Sequence, residues 1–306
     1  MSTRIGFIGV GLIGRPLVES MLRAGLLPTV FDLDPDPLGA VVRQGALGAA
    51  SVAEVARASD LVGICVPADA HVRAVLDGPE GLLANLDAGA VVAIHSTVLP
   101  ETVSWAAAEA ARYGVRIVEA CLTGGHVAAA EGRTTFLLGG DPDDIAALEP
   151  VLSACGETLV QAGPLGNANL LKLCLNLQTY VSHLGVAEAV RLAKDLDLPV
   201  DGLKEAMRAN GQLGRMGEMF FGLHELPPSV IEDRDILPMR RTSGAIIEKD
   251  LELMRLVGER QGVDLPGRDL AEAQFLRTYL LPDDSGAGEG DGWPVPIRHP
   301  DEGTTT

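Results

Sequence analysis

A glycine loop near the start of the chain joins a β-type run to an amphipathic helix pattern, and this junction restricts the fold more than any other feature. Ile5, Phe7 and Ile8 precede Gly9-Val10-Gly11-Leu12-Ile13-Gly14, and Leu17, Val18, Met21 and Leu22 follow at helical spacing. In a chain with 36 glycines the G-x-G-x-x-G spacing alone says little. Between a strand and a helix it acquires a physical role. Gly9 permits a tight turn, Gly11 lets a pyrophosphate approach the backbone, and Gly14 lets the helix pack on the strand. The helix N-terminus then faces the phosphates, with Leu12 and Ile13 completing the cofactor-binding loop. The next β-type run ends at Asp32. A carboxylate there accepts hydrogen bonds from the adenosine ribose hydroxyls and repels a 2′-phosphate. The following Leu33-Asp34-Pro35-Asp36 holds no arginine. The reading is therefore NAD, with NADP disfavoured by Asp32.

The first half of the chain continues this alternation. Predicted strands are Arg4–Ile8, Thr29–Asp32, Leu61–Val66, Val91–His95, Arg116–Glu119, Thr134–Leu138 and Thr158–Gln161. Helical patterns lie at Leu12–Ala24, Val52–Ala58, Glu101–Tyr113 and Asp143–Cys155. Strands alternating with helices imply βαβ units and a doubly wound, mainly parallel sheet of Rossmann type over residues 1–163. After Gly163-Pro164-Leu165-Gly166 the pattern changes to one long helix, 166–196. Leu170, Leu171, Leu173, Cys174, Leu175 and Leu177 cover more than half its circumference. That predicts burial on several sides, as in a helix joining two domains. The rest of 164–282 reads as all-helical, with Asp201–Ala209, Ser243–Gln261 and Arg268–Leu280 and a proline-rich loop at Glu225–Pro238. The segment 283–306 is rich in Gly, Asp and Pro and reads as a flexible tail, or as an arm docking Trp293 and Ile297 on a partner subunit.

Composition narrows the function. A length of 306 residues suits one large α/β domain or two moderate ones. The net charge of −18 repels a phosphate backbone and anionic lipid, which argues against nucleic acid and membrane partners. No apolar run approaches the roughly 20 residues of a membrane span. The glycine-interrupted N-terminal run is not read as a signal peptide. Cys65, Cys121, Cys155 and Cys174 lie far apart in apolar segments, predicting reduced, buried thiols and a cytoplasmic location. The histidines form no metal-ligand pair at helical spacing, so no metal is expected.

Five ordered motifs resemble one family. Gly6-Phe7-Ile8-Gly9-Val10-Gly11-Leu12-Ile13-Gly14 resembles G-F-I-G-L-G-x-M-G, with Ile13 in place of Met. His95-Ser96-Thr97-Val98-Leu99-Pro100 resembles D-x-S-T-x-x-P, and Glu119-Ala120-Cys121-Leu122-Thr123-Gly124-Gly125 resembles D-A-P-V-S-G-G. Gly166 with Lys172 and Asn176 resembles the start of an interdomain helix, and Lys249-Asp250-Leu251 a K-D-L near the end of a helical domain. The pattern, from Arg4 to about Leu280, is similar to the β-hydroxyacid dehydrogenases, which include 3-hydroxyisobutyrate dehydrogenase and tartronate semialdehyde reductase. The resemblance implies an NAD-dependent oxidoreductase acting on a small anionic 3-hydroxy acid, and a homodimer or homotetramer.

Lysine is scarce here, with only Lys172, Lys194, Lys204 and Lys249 against twenty arginines. A lysine inside the apolar Leu170–Leu175 run is therefore informative. Arginine stays charged and cannot shuttle a proton, whereas a buried lysine can. Lys172 is assigned the proton transfer. Asn176, one turn on and on the same face, would orient the substrate beside it. Asn169 also bears on this site, and Leu175 replaces the first of two asparagines that relatives often carry. By resemblance, Thr123, Gly124 and Gly125 hold the substrate carboxylate and Thr97 contacts the nicotinamide riboside. Val66 and Pro67 pass the adenosine side, and Lys249 approaches cofactor or substrate from the helical domain. His95, where the family often has Asp, and His126 are read as structural. Arg240 and Arg241 are read as a solvated pair. The alternatives are an imine reductase-like enzyme and a non-catalytic NAD-binding module.

Overall fold

The structure, a computed structural model, describes residues 3–234 and 236–283. The chain begins with β1 (Ile5–Ile8), α1 (Gly14–Arg23), β2 (Thr29–Phe31), α2 (Pro35–Arg43), β3 (Leu47–Gly48), α3 (Val52–Arg57) and β4 (Leu61–Ile64). It continues with α4 (Asp69–Leu76), α5 (Leu82–Asn85), β5 (Val91–Ile94), α6 (Pro100–Ala111), β6 (Arg116–Thr123) and α7 (Gly125–Ala130). Then come β7 (Thr134–Gly139), α8 (Pro142–Ser153), β8 (Gly156–Gly163) and the long α9 (Asn167–Asp195). The remainder is helical: α10 (Val200–Ala209), α11 (Arg215–Glu225), α12 (Pro228–Ile231), α13 (Leu237–Gln261), α14 (Pro266–Ala273) and α15 (Phe275–Thr278).

The eight strands form one sheet in the order β3-β2-β1-β4-β5-β6-β7-β8. All neighbours are parallel except β6 and β7. The order reverses beside β1, so the crevice beyond the C-terminal ends of β1 and β4 is where an α/β sheet takes its ligand. The alternation of side chains sorts the core into two layers. Phe7 joins a cluster with Leu17, Val18, Phe136 and Leu148 on one face, while its neighbour Ile8 joins Val55, Val62, Ile64 and Leu76 on the other. A fully buried side chain of this kind contributes about 1.5–3 kcal/mol.

Several elements lie outside the sequence expectation, each for a local reason. Helix α2 forms where the Asp34 carboxylate accepts from Asp36 N–H at 3.0 Å and Pro35 takes the first helical position. Strand β6 runs on from Glu119 to Thr123 because its second half pairs antiparallel with β7, Glu119 opposite Gly139 and Thr123 opposite Thr135. The Glu225–Pro238 segment is not a plain loop, since α12 lies within it and α13 begins at Leu237. The predicted Arg268–Leu280 helix is divided between α14 and α15 at Gln274. The 284–306 part of the expected tail lies outside the described residues.

The chain groups into two compact units, divided between Gln178 and Thr179, inside α9. Lys172 and Asn176 thus belong to the unit that contains the sheet. The second unit has its own core of Val186, Ala187, Val190, Leu213, Phe220 and Phe221. There the His183 ring stacks on Phe220 at 4.0 Å, and its Nδ1 meets the Tyr279 hydroxyl at 2.9 Å. Among the described residues no helix is long and apolar enough to cross a membrane.

Candidate active site

The glycine loop is held from two sides. Gly9 lies at φ +91°, and a Cβ there would stand 2.3 Å from the Cys65 carbonyl oxygen at the end of β4. A Cβ on Gly14 would stand 1.8 Å from the Gly9 carbonyl oxygen, so the close packing of α1 on β1 excludes any side chain. A Cβ on Gly11 would meet nothing within 4 Å, which leaves that side of the backbone open to a ligand. Helix α1 has no acidic residue in its first turn to oppose an anion. Asp32, at the end of β2, accepts from Val10 N–H at 2.6 Å through one oxygen and from Asp34 N–H at 2.9 Å through the other. The open backbone at Gly11, the uncapped helix start and the carboxylate beside the loop fit a dinucleotide.

The loops after β4 and β5 are tied together. Ser96 Oγ accepts from Val66 N–H at 3.0 Å and donates to the Val66 carbonyl at 2.6 Å, fixing Val66-Pro67 beside the sheet edge. Beyond it, Val98 N–H donates to Asn169 Oδ1 at 2.8 Å and Leu99 N–H to Asp69 Oδ1 at 2.9 Å. Thr97 is thereby held on both sides.

At the end of β6 the chain turns through Gly124 and Gly125, both with positive φ, into α7. Helix α7 is moored to α1, where Ser20 Oγ donates to the Ala129 carbonyl at 3.0 Å and Arg23 to the Ala130 carbonyl at 2.7 Å. His126 lies in α7.

Helix α9 supplies a buried polar stripe at Asn169, Lys172 and Asn176. These positions recur on one face at helical spacing. Lys172 is only 9% exposed, and its Nζ donates to Asn176 Oδ1 at 2.8 Å. A buried lysine whose Nζ–H meets an amide oxygen is a group able to exchange a proton with a nearby oxygen. The opposite face of this apolar run is not covered as expected. Leu171 is 40% exposed and Cys174 is exposed, so the sequence reading of a buried Cys174 is corrected. Cys121 and Cys155 do conform, whereas Cys65 is half-buried; burial pushes the Cys65 and Cys155 thiols up to about 12.

Residues 4–163 match the family described as the NAD binding domain of 6-phosphogluconate dehydrogenase. The NAD-dependent L-serine dehydrogenase of Pseudomonas aeruginosa is 31% identical over 94% of this chain and 95% of its own. The 3-hydroxyisobutyrate dehydrogenase of the same organism is 34% identical over 67% of this chain and 69% of its own. The crystal structure of a 3-hydroxyisobutyrate dehydrogenase from Salmonella typhimurium superposes with a TM-score of 0.78 at 28% identity, covering 90% of this chain and 94% of that one.

The chain belongs to the β-hydroxyacid dehydrogenase family. It is an NAD-dependent enzyme of that family, and the two-domain α/β fold is the one its sequence predicts.

Within this dehydrogenase, His95 is a core residue. Its Nδ1–H donates to the Ala120 carbonyl at 2.9 Å, its ring stacks on Phe7, and burial lowers its pKa to about 4. Lys249 lies in the second unit, where its buried ammonium pairs with Asp250 at 2.8 Å, and Asp250 in turn accepts from the Tyr180 hydroxyl at 2.8 Å. Arg240 is not a solvated residue. It is 9% exposed and donates to the carbonyls of Ile231, Tyr279 and Leu280, fastening α15 to α13. Two residues of the sheet-bearing unit escaped the sequence reading as site-building groups, Asp69 and Glu119. Glu119 carries a signal in hindsight, an acid inside the apolar run Ile117-Val118-Glu119-Ala120-Cys121.

Proposed function

We propose that the enzyme oxidises a short acid of the form HOCH2–CHR–COO⁻ to its semialdehyde, using NAD in preference to NADP. The observation that carries this reading is Lys172, buried on α9 and hydrogen-bonded to Asn176. L-Serine and 3-hydroxyisobutyrate, the substrates named for two relatives, both have this form and differ in R. NAD, held at the glycine loop beside Asp32, would supply the hydride acceptor for the carbinol carbon. Lys172, entering the step as the neutral amine, takes the hydroxyl proton and becomes the ammonium, so alcohol becomes aldehyde with one hydride and one proton removed. Asn176 orients Lys172 and the substrate oxygen. Thr123, Gly124 and Gly125 bind the carboxylate through a hydroxyl and backbone N–H groups. The carbinol is then fixed before the reaction begins, which supplies much of the rate. Gly9, Gly11, Leu12, Ile13, Gly14, Asp32, Val66, Pro67 and Thr97 hold the cofactor, and Lys249 is assigned to cofactor binding with them.

The Asp32 carboxylate supports the choice of NAD, since a 2′-phosphate beside it would meet like charge. Exposed Leu171, Val181 and Leu192 along α9 support a homodimer or homotetramer through this helix. The test is NADH formation from 3-hydroxyisobutyrate, D- and L-glycerate, L-serine and 3-hydroxypropionate, with NADP in parallel. Turnover with NAD is expected, and Lys172→Ala is expected to lower kcat by about 10²–10⁴-fold while NADH still binds. Turnover that survives Lys172→Ala removes the proton-transfer assignment. Reduction of imines but not of semialdehydes would favour the imine reductase-like alternative. NADH binding without any turnover would favour a non-catalytic module.

A further inference from the structure

Glu119 sits in the middle of β6 with no exposure to solvent. Among the described residues no cation pairs with it, and every partner is an N–H donor. Its Oε2 accepts from Gly166 N–H at 2.5 Å and its Oε1 from Asn169 N–H at 3.0 Å and Asn169 Nδ2 at 2.6 Å. With donors on both sides, both oxygens must accept, which a carboxylate does and an amide cannot. Gly166 directly precedes α9 and Asn169 lies in its first turn, where a helix leaves its backbone N–H groups unsatisfied and its dipole is positive. Gly139 on the neighbouring strand makes room, since a Cβ there would stand 2.4 Å from Glu119 Oε2.

The same network reaches further. Asn169, clamped by Glu119, uses its own Oδ1 to hold Val98 N–H. Glu119 thus meets α9 one turn before Lys172, reaches the Thr97 loop through a single side chain, and precedes Thr123 by two pairs of residues on its own strand.

We propose that Glu119 is a positioning residue for the dehydrogenase reaction, fixing the segments of Lys172 and Asn176, of Thr97 and of Thr123-Gly124-Gly125 relative to one another. The proposal rests on the site assignment made above. It requires a carboxylate at this position rather than mere bulk, because Glu119→Gln turns an N–H toward N–H donors.

The experiment compares Glu119→Gln, Glu119→Asp and Asn169→Ala with the wild type. It measures kcat and KM for the best 3-hydroxy acid, the Kd for NADH, the melting temperature, and the rate at which a lysine-directed reagent labels Lys172, mapped by mass spectrometry. Misplacing a reacting group by about 1 Å costs up to about 10²-fold. Glu119→Gln is therefore expected to lower kcat by about 10- to 100-fold per folded enzyme, with NADH Kd changed less than about threefold. Glu119→Asp keeps the charge and should recover part of the loss. Asn169→Ala should lower kcat in the same direction, and it carries the test if Glu119→Gln fails to fold. Unchanged kcat per folded enzyme in the variants that fold, or a loss of kcat that follows loss of folded protein or of NADH binding, overturns the proposal. If the wild type oxidises none of the acids, the site assignment fails, and labelling decides the rest. Faster labelling of Lys172 in Glu119→Gln or Asn169→Ala, with Lys194 and Lys204 unchanged, keeps Glu119 as the anchor of that helix turn. Unchanged labelling of Lys172 removes it.

Discussion

Two glycines of the same loop are required for different reasons, and substitution separates them. At Gly14 an added methyl meets backbone at 1.8 Å, so Gly14→Ala must push α1 from β1. A loss of about 3 kcal/mol is expected in chemical denaturation, with NADH binding lost as well. At Gly11 the protein offers no obstacle, so Gly11→Ala should leave stability within about 1 kcal/mol and weaken NADH binding alone. Equal destabilisation by the two would contradict this account. These roles were legible in the sequence because each depends on neighbours a few residues away. The part played by Glu119 was not, since its partners Gly166 and Asn169 lie 47 and 50 residues along the chain. A carboxylate in an apolar strand announces a partner without saying which.

Among the elements, the tie between α13 and α15 is the clearest case of a single side chain organising a unit. Arg240 satisfies carbonyls of Ile231, Tyr279 and Leu280, and His224 meets the Thr278 carbonyl at 3.0 Å from α11. Arg240→Met would leave those carbonyls without their donor and is expected to destabilise the helical unit by about 2–4 kcal/mol. Trypsin should then cut after Arg277 faster, while amide exchange in β1, β4 and β5 stays as in the wild type. Equal tryptic rates would show that other contacts hold α15. The sequence expressed the sheet strands well, because a strand buried on both faces is a continuous apolar run. It expressed α2, α4, α7 and α11 poorly. Their buried faces are short, α7 having only Ala128 and Ala129 and α11 Phe220, Phe221 and His224, so the helical period barely repeats. The two exposed residues of β3 gave no strand signal at all.

For the whole molecule, acid sensitivity follows from histidines in both units. Burial lowers the pKa of His95 and of His183 to about 4, and that of His224 in the same direction. The unfolded chain takes up these protons near pH 6.5, the folded chain only near pH 4, so stability is full above pH 6.5 and declines as pH falls through that window. Each of the first two contributes on the order of 3 kcal/mol across it. The melting temperature should drop between pH 7 and 4.5, and His95→Gln should flatten the curve although it starts lower. Parallel curves would assign the drop to other groups. The net charge of −18 works against this trend, since protonating carboxylates relieves repulsion. Asp32 has a consequence of another kind. Because it also accepts the Val10 and Asp34 N–H groups, the residue proposed to select the cofactor is part of the loop's own scaffold. A lineage that drifted toward the phosphorylated coenzyme could not simply exchange this side chain. It would first need a substitute acceptor for those amides, so the proposed preference for NAD would be protected by the order in which mutations can be tolerated.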